Sequence, residues 1–338
     1  MRATTLSVIV LAGLFAGAGC APRYSAKGPL KFSDIPYAGP SGQAWPVAYA
    51  EVPGVAKTYG MAKAPKVAYV ELNKGGPKGD IVFMHGLGSY LKFWYFQLDA
   101  FAAAGWHVVA IDQPGYGKSE KPATFPYTME AMADVVHEVA GQLGLVKPVL
   151  VGHSMGGQMA LSYGLRYPDE VSALVLVAPA GFEEFSAREK EWFHRAYNTS
   201  LVKKQTEYGI WGTVALANFS KFRPELHWLV EERVRVVSDP TFDQYAYAQV
   251  RSVNGLAAND FVRQSAGKLK APTLIVYGDE DKLIPSPFMH AGFTSAFFEK
   301  AAAGIPGAKL VGLPGCGHCV QLDCPTEWSA AVNAFLGK

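Results

Sequence analysis

From Asp80 onward the chain alternates short apolar runs with amphipathic stretches, and few architectures tolerate that rhythm. Ile81–Met84, His107–Ile111, Val149–Val151 and Val171–Val177 read as strands that are apolar on both faces. Phe93–Ala104, Met129–Leu143 and the stretch after Ser154 carry apolar residues at helical spacing. Strands without polar alternation must be covered on both sides, and a repeated strand–helix–strand order pairs them in parallel. Before this block, Lys66–Leu72 alternates like an antiparallel strand and Lys74–Gly79 reads as a turn. The rhythm stops at Ala178-Pro179-Ala180-Gly181 and resumes at Ala271-Pro272. Thr273–Tyr277 is then expected as strand, Met289–Ala302 as helix, Lys309–Leu313 as strand and Thr326–Leu336 as helix. Residues 182–262 are helical in pattern and heavy in aromatics, including Trp192, Phe193, Trp211, Trp228 and Tyr245. The expectation is an α/β fold whose mostly parallel sheet is flanked by helices. Its core would be 55–181 and 263–338, with a helical cap at 182–262 inserted after the sixth strand. Most cap aromatics would form the cap's own core and a few would face a pocket.

The length of 338 residues suits one large domain with such an insertion. A formal net charge of +2, with no basic run interleaved with aromatics, gives no case for nucleic acid. At the N-terminus, Met1-Arg2, the apolar Leu6–Phe15 and the small-residue tail Ala16–Cys20 read as an export signal over 1–20, too short for a stable membrane span. The tail resembles a bacterial lipoprotein signal. That resemblance implies a lipid on Cys20, a mature chain starting there, and a location in the cell envelope or periplasm with membrane attachment. Residues 21–54, rich in Pro, Gly, Ser and Ala, read as a tether from that anchor.

Between the run Pro148–Val151 and the following helix stands Gly152-His153-Ser154-Met155-Gly156. A strand, a Gly-x-Ser-x-Gly turn and a helix in succession form a nucleophile elbow, with glycines where the turn is too sharp for side chains. The turn aims the Met155 amide toward the place where an oxyanion would form. A serine hydroxyl needs a base, and the base needs a partner that holds one tautomer and stabilises its charge. Candidates belong at the C-terminal ends of the strands. Asp281 follows one strand in Gly278-Asp279-Glu280-Asp281-Lys282-Leu283-Ile284-Pro285, and His318 follows the last in Pro314-Gly315-Cys316-Gly317-His318. Asp279 competes with Asp281, and Glu183 and Glu184 are more distant rivals. The order Ser, Asp, His is that of an α/β-hydrolase.

Four segments together resemble the α/β-hydrolase superfamily, in its capped epoxide-hydrolase-like and esterase-like branch. They are His85-Gly86-Leu87-Gly88 with Trp94 downstream, Asp112-Gln113-Pro114-Gly115-Tyr116-Gly117-Lys118-Ser119, the elbow, and the Asp281 and His318 loops. The resemblance implies Ser154, Asp281 and His318 as catalytic residues and the Leu87 and Met155 amides as oxyanion donors, with His85, Gly86 and His153 in support. Epoxide hydrolases and haloalkane dehalogenases carry aspartate at the elbow, so a serine points to acyl transfer. The expected activity is that of a carboxylesterase-like serine hydrolase of a small, partly apolar ester, without metal or organic cofactor. A carbon–carbon or amide-bond hydrolase and an inactive envelope binding protein are the alternatives. Ring-cleavage carbon–carbon hydrolases usually place tryptophan after the histidine, where this chain has Cys319.

Cys316, Cys319 and Cys324 crowd around His318. One disulfide among them is allowed in an exported protein, small-residue packing is the plain alternative, and a zinc site is a superficial third. Gly117-Lys118-Ser119 is no phosphate loop, because the glycine required five residues earlier is Asp112.

Overall fold

The computed structural model describes residues 23–337; the expected signal and Cys20 lie outside them. Eight strands form one sheet in the order β1-β2-β4-β3-β5-β6-β7-β8. They are β1 Val47–Glu51, β2 Lys66–Leu72, β3 Asp80–Met84, β4 His107–Ile111, β5 Val149–His153, β6 Ala173–Val177, β7 Thr273–Gly278 and β8 Lys309–Leu313. β2 is antiparallel to β1 and β4, and every pairing from β4 to β8 is parallel. Strands β4 to β7 are buried at every position, as their uninterrupted apolar sequence demands.

Helices cover both faces. Met129–Gln142 begins at Thr128, whose hydroxyl accepts from the Ala131 amide at 3.2 Å. Met155–Arg166 is buried over most of its length. Trp94, Trp328, Phe83 and Phe101 pack together beneath the sheet, each such side chain worth roughly 1.5–3 kcal/mol of burial.

Two expected helices differ. The Phe93–Ala104 stretch splits into a 3₁₀ turn, Leu91–Trp94, and a helix, Leu98–Ala103. Asp112 accepts from the Leu91 amide at 2.7 Å, and Trp94 is drawn into the core, so packing overrides helical continuity. The helix expected from Met289 starts at Thr294, whose hydroxyl donates to the carbonyls of Asp281 and Ile284.

The segment expected as a tether, 21–54, is part of the domain from Tyr24 onward. Tyr24, Phe32, Ile35, Tyr37 and Trp45 are all buried, and β1 is the sheet's edge strand. Tyr37 donates to Asp112 at 2.6 Å and the Trp45 indole to Asp99 at 2.7 Å. The average composition concealed these spaced large apolar anchors, whose burial ties the segment to the domain.

Between β6 and β7 stands a group of helices that includes Ala187–Ala196, Glu207–Trp211, Trp228–Arg235 and Phe242–Ala258. Tyr24 packs with Ile210, Ala215 and Val230 of this cap, so the N-terminal segment straps cap to core. Trp211 and Trp228 pack among cap and core aromatics, whereas Phe193 lines a cavity. A buried ion pair joins the two layers: Lys92 Nζ lies 2.5 Å from Glu232 Oε1 and 4.3 Å above the Trp228 ring. Tyr90 donates to the same carboxylate. None of the described helices is long and apolar enough to cross a membrane.

Candidate active site

Register places the site. Met84 of β3 pairs with Gly152 of β5, so the loop starting at His85 and the elbow leave neighbouring strands together. Gly278 of β7 pairs with Leu313 of β8, so the Asp281 and His318 loops also rise side by side. A Cβ at Gly278 would collide with the Cys316 carbonyl, which is why glycine ends β7.

Ser154 sits at φ 53° and ψ −113°, a strained conformation for a residue with a side chain. A Cβ on Gly152 would strike the Gly156 carbonyl, and one on Gly156 would strike the Met84 carbonyl while standing 2.9 Å from that of His85. All of these obstacles are backbone and cannot swing aside. Gly156→Ala is therefore expected to cost about 3 kcal/mol, the upper end for overpacking, read as a lowered denaturation midpoint.

His318 Nδ1 stands 2.8 Å from Asp281 Oδ2, with both side chains buried. The other Asp281 oxygen accepts from the Leu283 and Ile284 amides at 2.7 and 3.2 Å, so the carboxylate is fixed by its own loop. Nδ1–H donating to Asp281 leaves Nε2 with a free lone pair. Ser154 and His318 line the same cavity, but among the described residues no hydrogen bond joins them. Such bonds are often loose before substrate arrives. The rival acids are engaged elsewhere. Asp279 accepts from the Gly315 amide at 2.7 Å, and Glu183 accepts from the Ser286 amide at 2.6 Å and faces His290 Nδ1 at 2.8 Å. Glu184 pairs with Arg263.

Among the described residues, the Leu87 and Met155 amides have no acceptor, so both are free to donate. His85 accepts from the Gln113 amide at Nε2 (3.1 Å) and donates from Nδ1 to the Gly86 carbonyl (2.8 Å), pinning the loop before Leu87. Burial pushes its pKa down to about 4, so it is neutral at pH 7. His153 donates to the His318 carbonyl at 3.1 Å and is likewise held neutral by burial. A Cβ on Gly86 would press on His153 Nδ1 at 2.8 Å.

One residue that the sequence did not single out, Asp323, and the disulfide allowed among the cysteines there complete the frame. Asp323 accepts from the amides of Gly317 and Ser220, both at 2.7 Å, and so ties the His318 loop to the cap. Cys316 and Cys324 form a disulfide across that loop, and Cys319 is free and buried. Two of the three sulfurs are thus bound to each other and the histidine faces Asp281, an arrangement that leaves no zinc set there. Closing an eight-residue separation is worth about 2.5 kcal/mol in the chain-entropy picture. The Cys316→Ser/Cys324→Ser variant is expected to melt several degrees lower and to lose turnover as the His318 loop loosens, checked by calorimetry and kinetics.

The cavity over Ser154 has a volume of about 450 Å³. Phe93, Phe193, Val214, Leu229, Val253 and Leu256 make much of it apolar.

The family described as the alpha/beta hydrolase fold matches residues 81–325. A 2-hydroxy-6-oxononadienedioate/2-hydroxy-6-oxononatrienedioate hydrolase of Paraburkholderia phymatum is 27% identical over 277 residues, covering 78% of this chain and 89% of that protein. A monoacylglycerol lipase of Xenopus laevis is 25% identical over 284 residues, covering 81% of this chain and 80% of its own. Among solved structures, a probable hydrolytic enzyme of Pseudomonas aeruginosa is similar at TM-score 0.79 and 25% identity, covering 91% of this chain and 98% of the other. An esterase of Exiguobacterium antarcticum shares the fold at TM-score 0.68 and 24% identity, covering 81% of this chain and 97% of its own. With the matched region spanning most of the sheet, the elbow and both loops beyond it, the chain belongs to the α/β-hydrolase family and is a hydrolase of that fold.

Proposed function

We propose that this hydrolase cleaves carboxylic esters through an acyl-enzyme on Ser154. The observation that carries the reading is the Asp281–His318 pair, 2.8 Å apart, beside a serine on a strained elbow in one cavity. His318 Nε2 takes the Ser154 proton as Oγ bonds to the carbonyl carbon. Negative charge on the carbonyl oxygen meets the Leu87 and Met155 amides. Collapse breaks the bond to the leaving oxygen, which takes the proton from His318, and Asp281 stabilises the imidazolium throughout. Water then repeats both steps on the acyl group and frees Ser154. A cavity of about 450 Å³ with aromatic walls suits a small or medium, partly apolar substrate.

A fluorophosphonate probe tests the reading. The expected result is one covalent adduct, mapped to the peptide containing Ser154, together with turnover of nitrophenyl esters. A protein that neither labels nor turns over would be a binding protein that keeps the scaffold. Carbon–carbon cleavage is the second reading, supported by the relative from Paraburkholderia phymatum; turnover of a vinylogous diketone with no turnover of esters would favour it.

A further inference from the structure

Arg233 is a charged side chain lining the cavity that the chemistry above leaves unused. It lies on the cap helix Trp228–Arg235 and lines the cavity, keeping part of its surface open. Its Nη1 donates to the Gly88 carbonyl at 2.8 Å, and its guanidinium stands 5.0 Å from the centre of the Tyr245 ring. Among the described residues no carboxylate comes within ion-pair distance of it. The adjacent Glu232 turns the other way, to Lys92 and Tyr90. The groups that bear on Arg233 electrostatically are phenols, Tyr197, Tyr90 and Tyr116, and burial pulls its pKa down from the ordinary value. A half-buried cation held only by a carbonyl and a ring face keeps donors and charge available to an anionic ligand.

Its position narrows what that ligand is. A Cβ on Gly88 would stand 3.0 Å from Arg233 Nη2 and would collide with Gln249 Nε2, so both groups press on the residue after Leu87. Gln249 is buried, and its Oε1 has no partner. An anion bound between them would sit a few bonds from a carbonyl whose oxygen faces the Leu87 amide. The leaving oxygen must instead face His318, whose neighbours are Asp281, His153 and the Asn218 segment. With the leaving oxygen turned to His318, an acyl chain running along the Leu87–Gly88 side would reach Arg233.

We propose that Arg233, with Gln249 beside it, binds a carboxylate carried on the acyl part of the substrate, making the favoured substrates monoesters of short dicarboxylic acids. The guanidinium offers a planar fork matched to a carboxylate, and Gln249 adds an amide N–H. This rests on the ester-hydrolase reading above and names its substrate class.

The test compares phenyl hydrogen succinate with phenyl butyrate, which have similar acyl length and the same leaving group. For the native protein kcat/KM is expected to favour the anionic ester at least tenfold, with the preference shrinking as salt is added. In Arg233→Gln the ratio of the two kcat/KM values should fall at least tenfold, and Arg233→Lys should retain part of it. Because the ratio cancels any loss common to both esters, disturbance of Gly88 does not mimic the effect. Succinate should also inhibit butyrate ester hydrolysis competitively, more strongly than butyrate does. A native enzyme that turns over both esters equally overturns the proposal without needing any variant, as does an unchanged ratio in Arg233→Gln. Turnover of neither ester, with no phosphonate adduct, would instead remove the underlying ester-hydrolase reading.

Discussion

Ser154→Ala is expected to lower kcat on a nitrophenyl ester by about 10⁴- to 10⁶-fold while leaving the melting temperature close to that of the native protein. The fold should survive because alanine keeps a Cβ at the same φ of 53° and loses only a hydroxyl that makes no hydrogen bond among the described residues. The activity should collapse because the proposed scheme has Ser154 as its only nucleophile; Cys319, which lines the same cavity, is buried with its thiol pKa pushed well up. The residual rate would be that of water attacking an ester polarised by the Leu87 and Met155 amides. Steady-state kinetics on protein free of native contamination, beside circular dichroism, give both readouts. A variant that keeps more than a tenth of native turnover would sink the acyl-enzyme scheme, whatever its fold.

How much of this was written in the sequence depends on how local each signal is. β4, β5 and β7 were legible because a strand covered on both faces is a continuous apolar run, as Val149–Val151 is. The elbow was legible because its glycines answer a backbone collision within a few residues. Asp281 and His318 stood out as residues just past strand ends, and register then brings them to 2.8 Å. In the sequence only the family resemblance separates Asp281 from Asp279 and Glu183; in the structure those two acids hold the amides of Gly315 and Ser286.

What stayed hidden depends on partners far along the chain. Arg233 meets Gly88 across 145 positions, and Lys92 meets Glu232 across 140. No periodicity or motif encodes such a pair, because each residue alone looks like a solvated charge on a helix or turn. Residues 24–51 failed for a different reason. Averaged composition weighs every residue equally, whereas burial is decided by a few large side chains, and Tyr24, Phe32 and Trp45 outweigh the small residues between them.

Asp281→Asn is expected to lower kcat/KM by about 10⁴-fold with little change in stability, whereas Asp279→Asn should change it by less than about threefold. The asymmetry follows from what each oxygen does. In Asp281→Asn the oxygen that serves the Leu283 and Ile284 amides is retained, so the loop holds its shape. The group facing His318 Nδ1 becomes an NH₂, which donates where the carboxylate accepted. That reverses the imidazole tautomer, puts the proton on Nε2 and removes the lone pair that must accept from Ser154. Asp279 uses its Oδ1 only to accept from the Gly315 amide, and an asparagine oxygen performs that equally well. Kinetics of the two variants on the same ester, with melting curves alongside, separate the roles; comparable losses in both would mean that loop geometry, not tautomer control, sets the rate.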